Sequence, residues 1–346
     1  KIYCLVRGDT PQIATQRCRA IMTSYQLSDY IDETRLCIVP GDLTLPQFGL
    51  LNTDYLQLAK QTQVIYHVGA DVNFIKPLDL LLNANVEACQ RVLHFSQKDQ
   101  LKTIHYVSTL SAFPRGGDYI HQHIDEHTPM DLSGYLLGGY EQSKWLGEAI
   151  MRNAQQQKLP ITIYRPGFIG GSLETGILND KDLFSRMLLS IIQTTFMPDI
   201  LPFNFNIVPV DYITQSMVYL ASQPERMPVY HFYHERALTI DEIHDAFLAN
   251  HFPIQTKPYQ EWVAYLEECG KDHDYPLKPL LALLNVKDPM ADSQLGSHAL
   301  LPNQGDIYAD ITKSQLPPTI LGKLLPPIEL LDFYLKKLSG QYGCLF

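Results

Sequence analysis

Short apolar runs closed by turn residues alternate along much of the chain with longer stretches of helical period. Ile2-Tyr3-Cys4-Leu5-Val6 is the first, a run of strand formers closed by Arg7-Gly8-Asp9 and followed by helical spacing from Pro11 to Tyr25. Leu36 to Pro40 is the second, ending at Gly41-Asp42-Leu43, and Val64 to Ala70 is the third, with a helix from Pro77 to Gln97 after it. Ile104 to Ser111 reads as a buried strand ending in hydroxyl side chains. A long loop then runs from Phe113 to Leu137, a helix starts near Gly138, and Ile161 to Pro166 is the next strand. Val208 to Ile213 returns the chain to the sheet, with Asp211 as cap of the following helix. From Thr239 the pattern turns helical, at 239–250, 259–270, 276–285 and 324–338, punctuated by Pro and Gly.

Strands alternating with helices predict an α/β fold, a Rossmann-type doubly wound parallel sheet, and the helical remainder predicts a smaller substrate domain. The expected boundaries are 1–170 with 205–238 for the nucleotide-binding domain, and 171–204 with 239–346 for the substrate domain. A chain of 346 residues exceeds the usual single core, which agrees with two domains. The aromatics Phe232, Tyr233, Trp262 and Tyr265 are expected in cores, as is His67, and Asn85 is expected to bond backbone.

A formal charge of -10, with 27 basic residues that form no long run, excludes a general nucleic-acid or membrane-surface binder and favours a small molecule or protein as partner. The six cysteines show no Cys-x-x-Cys pair and read as thiols of a reducing cytoplasm. No apolar run reaches the ~18 residues a membrane helix needs. His121, His123 and His127 lie in the 113–137 loop without a metal-ligand pattern, so no metal is expected; the length of that loop reads as a lid.

The chemistry concentrates in Tyr140-x-x-x-Lys144, which sets a phenol and an ammonium one turn apart on one helix face. A neighbouring ammonium stabilises a phenolate and is expected to lower the phenol's pKa, giving an acid for hydride chemistry. The strand ending at Ser108-Thr109 adds a hydroxyl where parallel sheets place their chemistry, so order and spacing favour a Thr109-Tyr140-Lys144 site. Arg7 sits just after a strand, where an arginine reads the 2'-phosphate of NADP; it reads equally as a surface residue, and Asp9 nearby keeps NAD open. Gly69 and Ala70 end a strand with residues small enough for a cofactor to approach the backbone.

Ser108-Thr109, then Gly139-Tyr140-x-x-Ser143-Lys144-Trp145, then Tyr164-Arg165-Pro166-Gly167-Phe168-Ile169-Gly170-Gly171, resembles the extended short-chain dehydrogenase/reductases. The run from Gly171 to Gly176 with Asn179, Asp182 and Arg186 resembles, more narrowly, the thioester reductase domains that end nonribosomal peptide and polyketide synthases, related to carboxylic acid and aminoadipate reductases. The resemblance implies NADPH as cofactor and an acyl- or peptidyl-carrier protein as partner, whose phosphopantetheine thioester is released as an aldehyde. It implies Asp42 and Leu43 beside the adenine, Arg17 as a second phosphate contact, and Ser108, Pro166, Gly167, Phe168 and Ile169 along the cofactor. Two departures stand out. Ala88 and Cys89 replace the family's Gly and Thr, and no glycine-rich phosphate loop occurs, which implies a strand-loop-helix unit of ~30 residues before Lys1. A monomeric cytoplasmic domain is expected. A sugar epimerase, a small-carbonyl reductase and a non-catalytic nucleotide-binding scaffold are the alternatives on the same fold.

Overall fold

The first strands appear where the apolar runs place them. The computed structural model describes residues 1–114, 122–131, 134–136, 138–200, 206–234, 236–285 and 305–342. Contacts divide the chain into two units: Lys1–Val72, Asp79–Tyr106 and Leu146–Ile161 in the first, and Asn73–Leu78, Val107–Trp145 and Thr162–Phe346 in the second. These do not follow the 170/171 and 238/239 boundaries, since all of 162–346 lies in one unit.

In the first unit β1 (Ile2–Val6) pairs in parallel with β2 (Leu36–Pro40), and β3 (Val64–His67) with β4 (Thr103–Val107). Parallel pairs need crossovers; helix Pro11–Ser24 supplies the one between β1 and β2, and the helical stretch 78–96 the one between β3 and β4. Thr10 caps the first, its hydroxyl accepting from Ile13 N at 3.2 Å ahead of Pro11. The helix expected at 77–97 is interrupted by a π-helical turn, Leu82–Glu87, before Ala88–Ser96. Within that turn Asn85 accepts from Asp71 N at 2.7 Å and donates to Asp71 O at 3.1 Å, the backbone role expected of it. His67 is buried beside Cys89, as a core histidine should be.

The core of this unit is aromatic. Phe48 meets Phe95 at 5.4 Å and Tyr55 at 5.8 Å between ring centroids, and Tyr55 meets Phe95 at 5.2 Å. Gln47, Phe48 and Gly49 take left-handed φ of 52°, 60° and 73°, a conformation costly for the first two. The reversal places the Phe48 ring in the buried cluster, and that burial offsets the strain. Phe48→Ala is expected to lower unfolding stability by ~3–5 kcal/mol, read as a fall in the denaturant midpoint; a change below ~1 kcal/mol would deny the ring that role.

In the second unit β5 (Gln122–Ile124), β6 (Ile161–Pro166), β7 (Phe168–Gly170), β8 (Phe196–Pro198), β9 (Ile207–Pro209), β10 (Val229–Phe232), β11 (Gln255–Lys257) and β12 (Gly305–Ile307) pair in parallel as β5–β12, β6–β10, β7–β9 and β8–β11. Its largest core gathers helix Leu183–Thr194, Phe247, Leu266, Leu331 and Tyr334 around a fully buried Trp262. Phe232 is buried as expected, while Tyr265 is partly buried and packs edge-on to Phe196 at 4.8 Å. Thr239 and Glu242 close a capping box on helix Ile240–Ala249. The stretch 276–285 yields only a 3-10 turn, Lys278–Leu280, and a short helix, Leu281–Leu284, because Pro279 supplies no N–H. The closing helix starts at Pro327 and runs to Tyr342.

Asp211 is not the cap expected of it. Pro209 occupies the cap, helix Val210–Ser222 follows directly from β9, and Asp211 lies in its first turn. Its carboxylate instead accepts from Leu173 N at 2.6 Å and from the Ser172 hydroxyl at 3.4 Å. Tyr334 donates to Gly171 O at 2.7 Å, so the segment that leaves β7 is held at three consecutive residues.

Asp182 caps helix Leu183–Thr194, accepting from Ser185 N and the Ser185 hydroxyl at 2.8 Å each. Burial pushes its carboxyl up to about 6 in spite of those bonds and of Arg186 nearby. The folded chain therefore holds this proton more tightly than the unfolded chain does. The associated stability is complete below the ordinary carboxylate value near ~4 and is lost as pH rises through about 6. Asp182→Asn keeps the capping oxygen and removes the titration, so its stability should fall less than wild type between pH ~4 and ~7, by up to ~3 kcal/mol in denaturant melts. Parallel pH profiles for the two proteins would reject this assignment.

Candidate active site

Helix Gly139–Gln156 carries Tyr140 and Lys144 on its first turns, and its start is fixed by close packing. A Cβ on Gly139 would stand 2.5 Å from Lys76 O and 2.6 Å from Leu78 N, so only glycine allows the helix to begin against that segment. Gly138 N meets the Glu141 carboxylate at 3.5 Å, and Ser143 donates to Tyr140 O at 2.7 Å. Lys144 is 4% exposed, and its Nζ donates to Val107 O at 2.8 Å, at the end of β4. That bond brings the helix to the residue that precedes Ser108 and Thr109.

Ser108 N donates to Tyr164 O at 2.7 Å, which continues the strand by one more residue. Thr109 then caps a 3-10 turn, Leu110–Ala112; its hydroxyl oxygen accepts from Ser111 N at 3.2 Å and lies 3.0 Å from the Ser111 hydroxyl. Tyr140 is 8% exposed, with the Phe74 ring edge-on at 5.0 Å. Burial, and then the Glu141 charge, push its phenol up from the ordinary tyrosine value, opposite to the lowering expected from Lys144. Desolvation of the phenolate is the larger cause, and the Lys144 Nζ bonds backbone. A phenol shifted this way keeps its proton at neutral pH and acts as a donor.

The other residues expected along a cofactor fall in both units. In the first, Arg7 and Arg17 are exposed, as is Ala70. Asp42 accepts from Thr44 N at 2.8 Å and from the Thr44 hydroxyl at 2.7 Å, the strand-end turn that local chemistry predicts. Desolvation would raise its carboxyl, but the Thr44 bonds, Arg7 and Arg91 hold it below the usual range. Leu43 O accepts from Arg91 at 3.1 Å, and a Cβ on Gly69 would stand 2.5 Å from the Leu43 side chain, so Leu43 and Gly69 share one locality. In the second unit, Pro166 ends β6, Gly167 N donates to Phe232 O at 2.9 Å, and Phe168 and Ile169 lie in β7 opposite Ile207 and Val208. A Cβ on Gly167 would meet the Tyr233 ring at 3.1 Å. In chemical type, the exposed arginines of the first unit suit a dinucleotide's phosphate, and its small strand-end residues suit close approach of a cofactor.

Sequence reasoning missed Phe74 and Arg91, whose roles depend on contacts far along the chain. Arg165 was visible only as part of a motif. It is buried, donates to His231 Nε2 at 3.1 Å, and stacks over Phe113 at 4.8 Å. His123 stacks on Tyr308, His127 is exposed, and His121 lies outside the described residues, as do the parts of the expected lid at 115–121, 132–133 and 137. Among the described residues no group of His, Cys, Asp and Glu could hold a metal, and no helix is long and apolar enough to cross a membrane.

Known proteins resemble the chain in sequence and in fold. Residues 1–217 match the family model of NAD-binding domains described as Male sterility protein. The chain is 30% identical over 306 residues to a non-canonical nonribosomal peptide synthetase, FrzA, of a Cladobotryum species, covering 85% of this chain and 30% of that protein. It is 31% identical over 299 residues to a second non-canonical nonribosomal peptide synthetase, cpsA of Aspergillus campestris, covering 83% of this chain and 28% of that protein. Among solved structures, the terminal R domain of the myxalamid PKS-NRPS pathway superposes with a TM-score of 0.83 at 30% identity, covering 98% of this chain and 84% of that one. The chain thus spans less than a third of the length of these synthetases and most of an R domain. It belongs to the NAD-binding Male sterility protein family, and within it to the reductase domains of nonribosomal peptide and polyketide synthases, which are extended short-chain dehydrogenase/reductases.

Proposed function

We propose that the chain catalyses NADPH-dependent reductive release of an acyl or peptidyl thioester from the phosphopantetheine arm of a carrier protein, giving an aldehyde. The observation that carries this reading is the Lys144–Val107 bond, which holds the helix bearing Tyr140 to the strand end bearing Ser108 and Thr109. Residues 1–170 and 205–238 serve the cofactor and residues 171–204 and 239–346 the substrate, in a monomeric cytoplasmic domain.

NADPH supplies the hydride to the thioester carbonyl carbon when bound. Arg7 and Arg17 would hold its 2'-phosphate, Asp42, Leu43, Gly69 and Ala70 its adenosine half, and Ser108, Lys144 and Pro166 to Ile169 its ribose and nicotinamide. Tyr140, kept protonated by burial, gives its proton to the substrate oxygen as the carbonyl becomes tetrahedral, and the Thr109 hydroxyl donates a second hydrogen bond there. The Lys144 ammonium offsets the charge left on Tyr140. In the resulting hemithioacetal the C–S bond breaks, the hydroxyl proton ends on sulfur, and aldehyde and thiol depart. One hydride and one proton are consumed, the latter replaced from solvent.

Tyr140→Phe removes the donor and leaves the ring. Turnover of a carrier-bound acyl thioester, followed by NADPH absorbance, should fall by at least ~10²-fold while NADPH still binds; retained turnover would end the assignment. Arg7→Ala should raise the KM for NADPH by on the order of 10- to 100-fold and leave that for NADH unchanged. An unchanged preference would place 2'-phosphate recognition elsewhere.

A further inference from the structure

Two consecutive residues of β6 grip the turn that carries Thr109 from both ends. Tyr164 O accepts from Ser108 N at 2.7 Å, one residue before Thr109. The Arg165 guanidinium lies over the Phe113 ring at 4.8 Å, and Phe113 N closes the turn on Leu110 O at 3.1 Å. Thr109 caps this turn and Phe113 ends it, so the hydroxyl sits between a backbone anchor and a side-chain anchor.

The guanidinium is itself oriented. Arg165 and His231 are both buried, at 1% and 0% exposure, and Arg165 Nη1 lies 3.1 Å from His231 Nε2. An arginine can only donate, so Nε2 must accept, and the ring proton is on Nδ1, which donates to Tyr308 O at 3.0 Å. Burial and the Arg165 charge both disfavour the imidazolium, which agrees with this neutral tautomer. The chain of bonds continues: His231 N donates to the Thr312 hydroxyl at 2.9 Å, and Thr312 donates through N and its hydroxyl to Glu126 Oε1 at 2.7 and 2.5 Å. The second carboxyl oxygen, Glu126 Oε2, is buried without a hydrogen-bond partner among the described residues, so the network ends on a polar group rather than on apolar filling. A buried cation is costly unless its donors are taken up, and a packed hydrophobic residue would fill the same volume more cheaply.

We infer that Arg165 is a positioning residue for the reductive step, holding the Thr109 hydroxyl at its place through Phe113, with neutral His231 setting the plane of the guanidinium. This rests on the reading of Thr109 as a hydrogen-bond donor to the substrate oxygen. The test is a double-mutant cycle on Arg165→Met and Thr109→Ala, with turnover measured at saturating NADPH and thioester, and NADPH Kd measured separately. Arg165→Met alone should lower kcat on the order of 10- to 100-fold with Kd within about twofold of wild type. In the Thr109→Ala background the same substitution should change kcat by less than about twofold, because nothing remains to be positioned. Equal losses in the two backgrounds would overturn the inference while leaving the thioester reductase reading intact. Wild-type turnover by Thr109→Ala alone would instead overturn the role of Thr109, and the inference with it. If Arg165→Met does not fold, Phe113→Leu keeps the volume, removes the ring face and carries the same two expected outcomes.

Discussion

An ammonium taken out of water has to be held by something, and here the Lys144 Nζ donates to the backbone carbonyl of Val107. Much of the candidate site depends on this bond. It ties the helix start carrying Tyr140 to the strand end carrying Ser108 and Thr109, beside the packing of Trp145 on the cluster that includes Leu110 and Phe113. A charge-assisted bond inside a buried environment is stronger than a neutral one and is screened far less by salt than an exposed pair, so it fixes the two elements at short range. The glycines ahead of the helix serve the same end, since any Cβ at Gly139 would push its first turn off the 76–78 segment.

The direction of the Tyr140 shift changes how the phenol should be understood. A tyrosine poised beside a lysine invites the expectation of an easily ionised base, which suits oxidation of an alcohol. In this structure burial wins and the proton is retained. Reduction of a carbonyl needs a proton donor, so a phenol made harder to ionise is better matched to it over the neutral pH range. Under the proposed reading, the cationic neighbour would matter most as the proton leaves, when a phenolate forms in a desolvated place.

Local chemistry made much of this legible in the sequence. The strands at 2–6, 36–40, 103–107 and 161–166 followed from apolar runs, Thr10 and Thr239 stand where capping rules put them, and helical spacing together with the Ser108-Thr109 strand end singled out Tyr140 and Lys144. What could not be read depended on residues distant along the chain. Asp211 looked like a cap because caps are local, yet its carboxylate serves Ser172 and Leu173. Phe48 gave no sign of its left-handed backbone, because the compensation comes from Tyr55 and Phe95. The π-helical turn at Leu82–Glu87 was likewise hidden in a plausible helical pattern.

Arg165 shows the limit of motif reasoning most clearly. In a Tyr-Arg-Pro-Gly run it looks like part of a strand end whose charge should reach solvent, and nothing local forbids that. Strand alternation along β6 is no guide either, because Ile161 to Pro166 are buried on both faces, which parallel strands permit. Its side chain is buried against distant groups, among them the aromatic face of Phe113 and the neutral imidazole of His231, whose main-chain N–H donates to the Thr312 hydroxyl that in turn donates to Glu126. A chain that keeps a buried charge needing so many partners gains a fixed geometry that an aliphatic core would not impose. The residues fixed most directly by that geometry are those flanking Thr109.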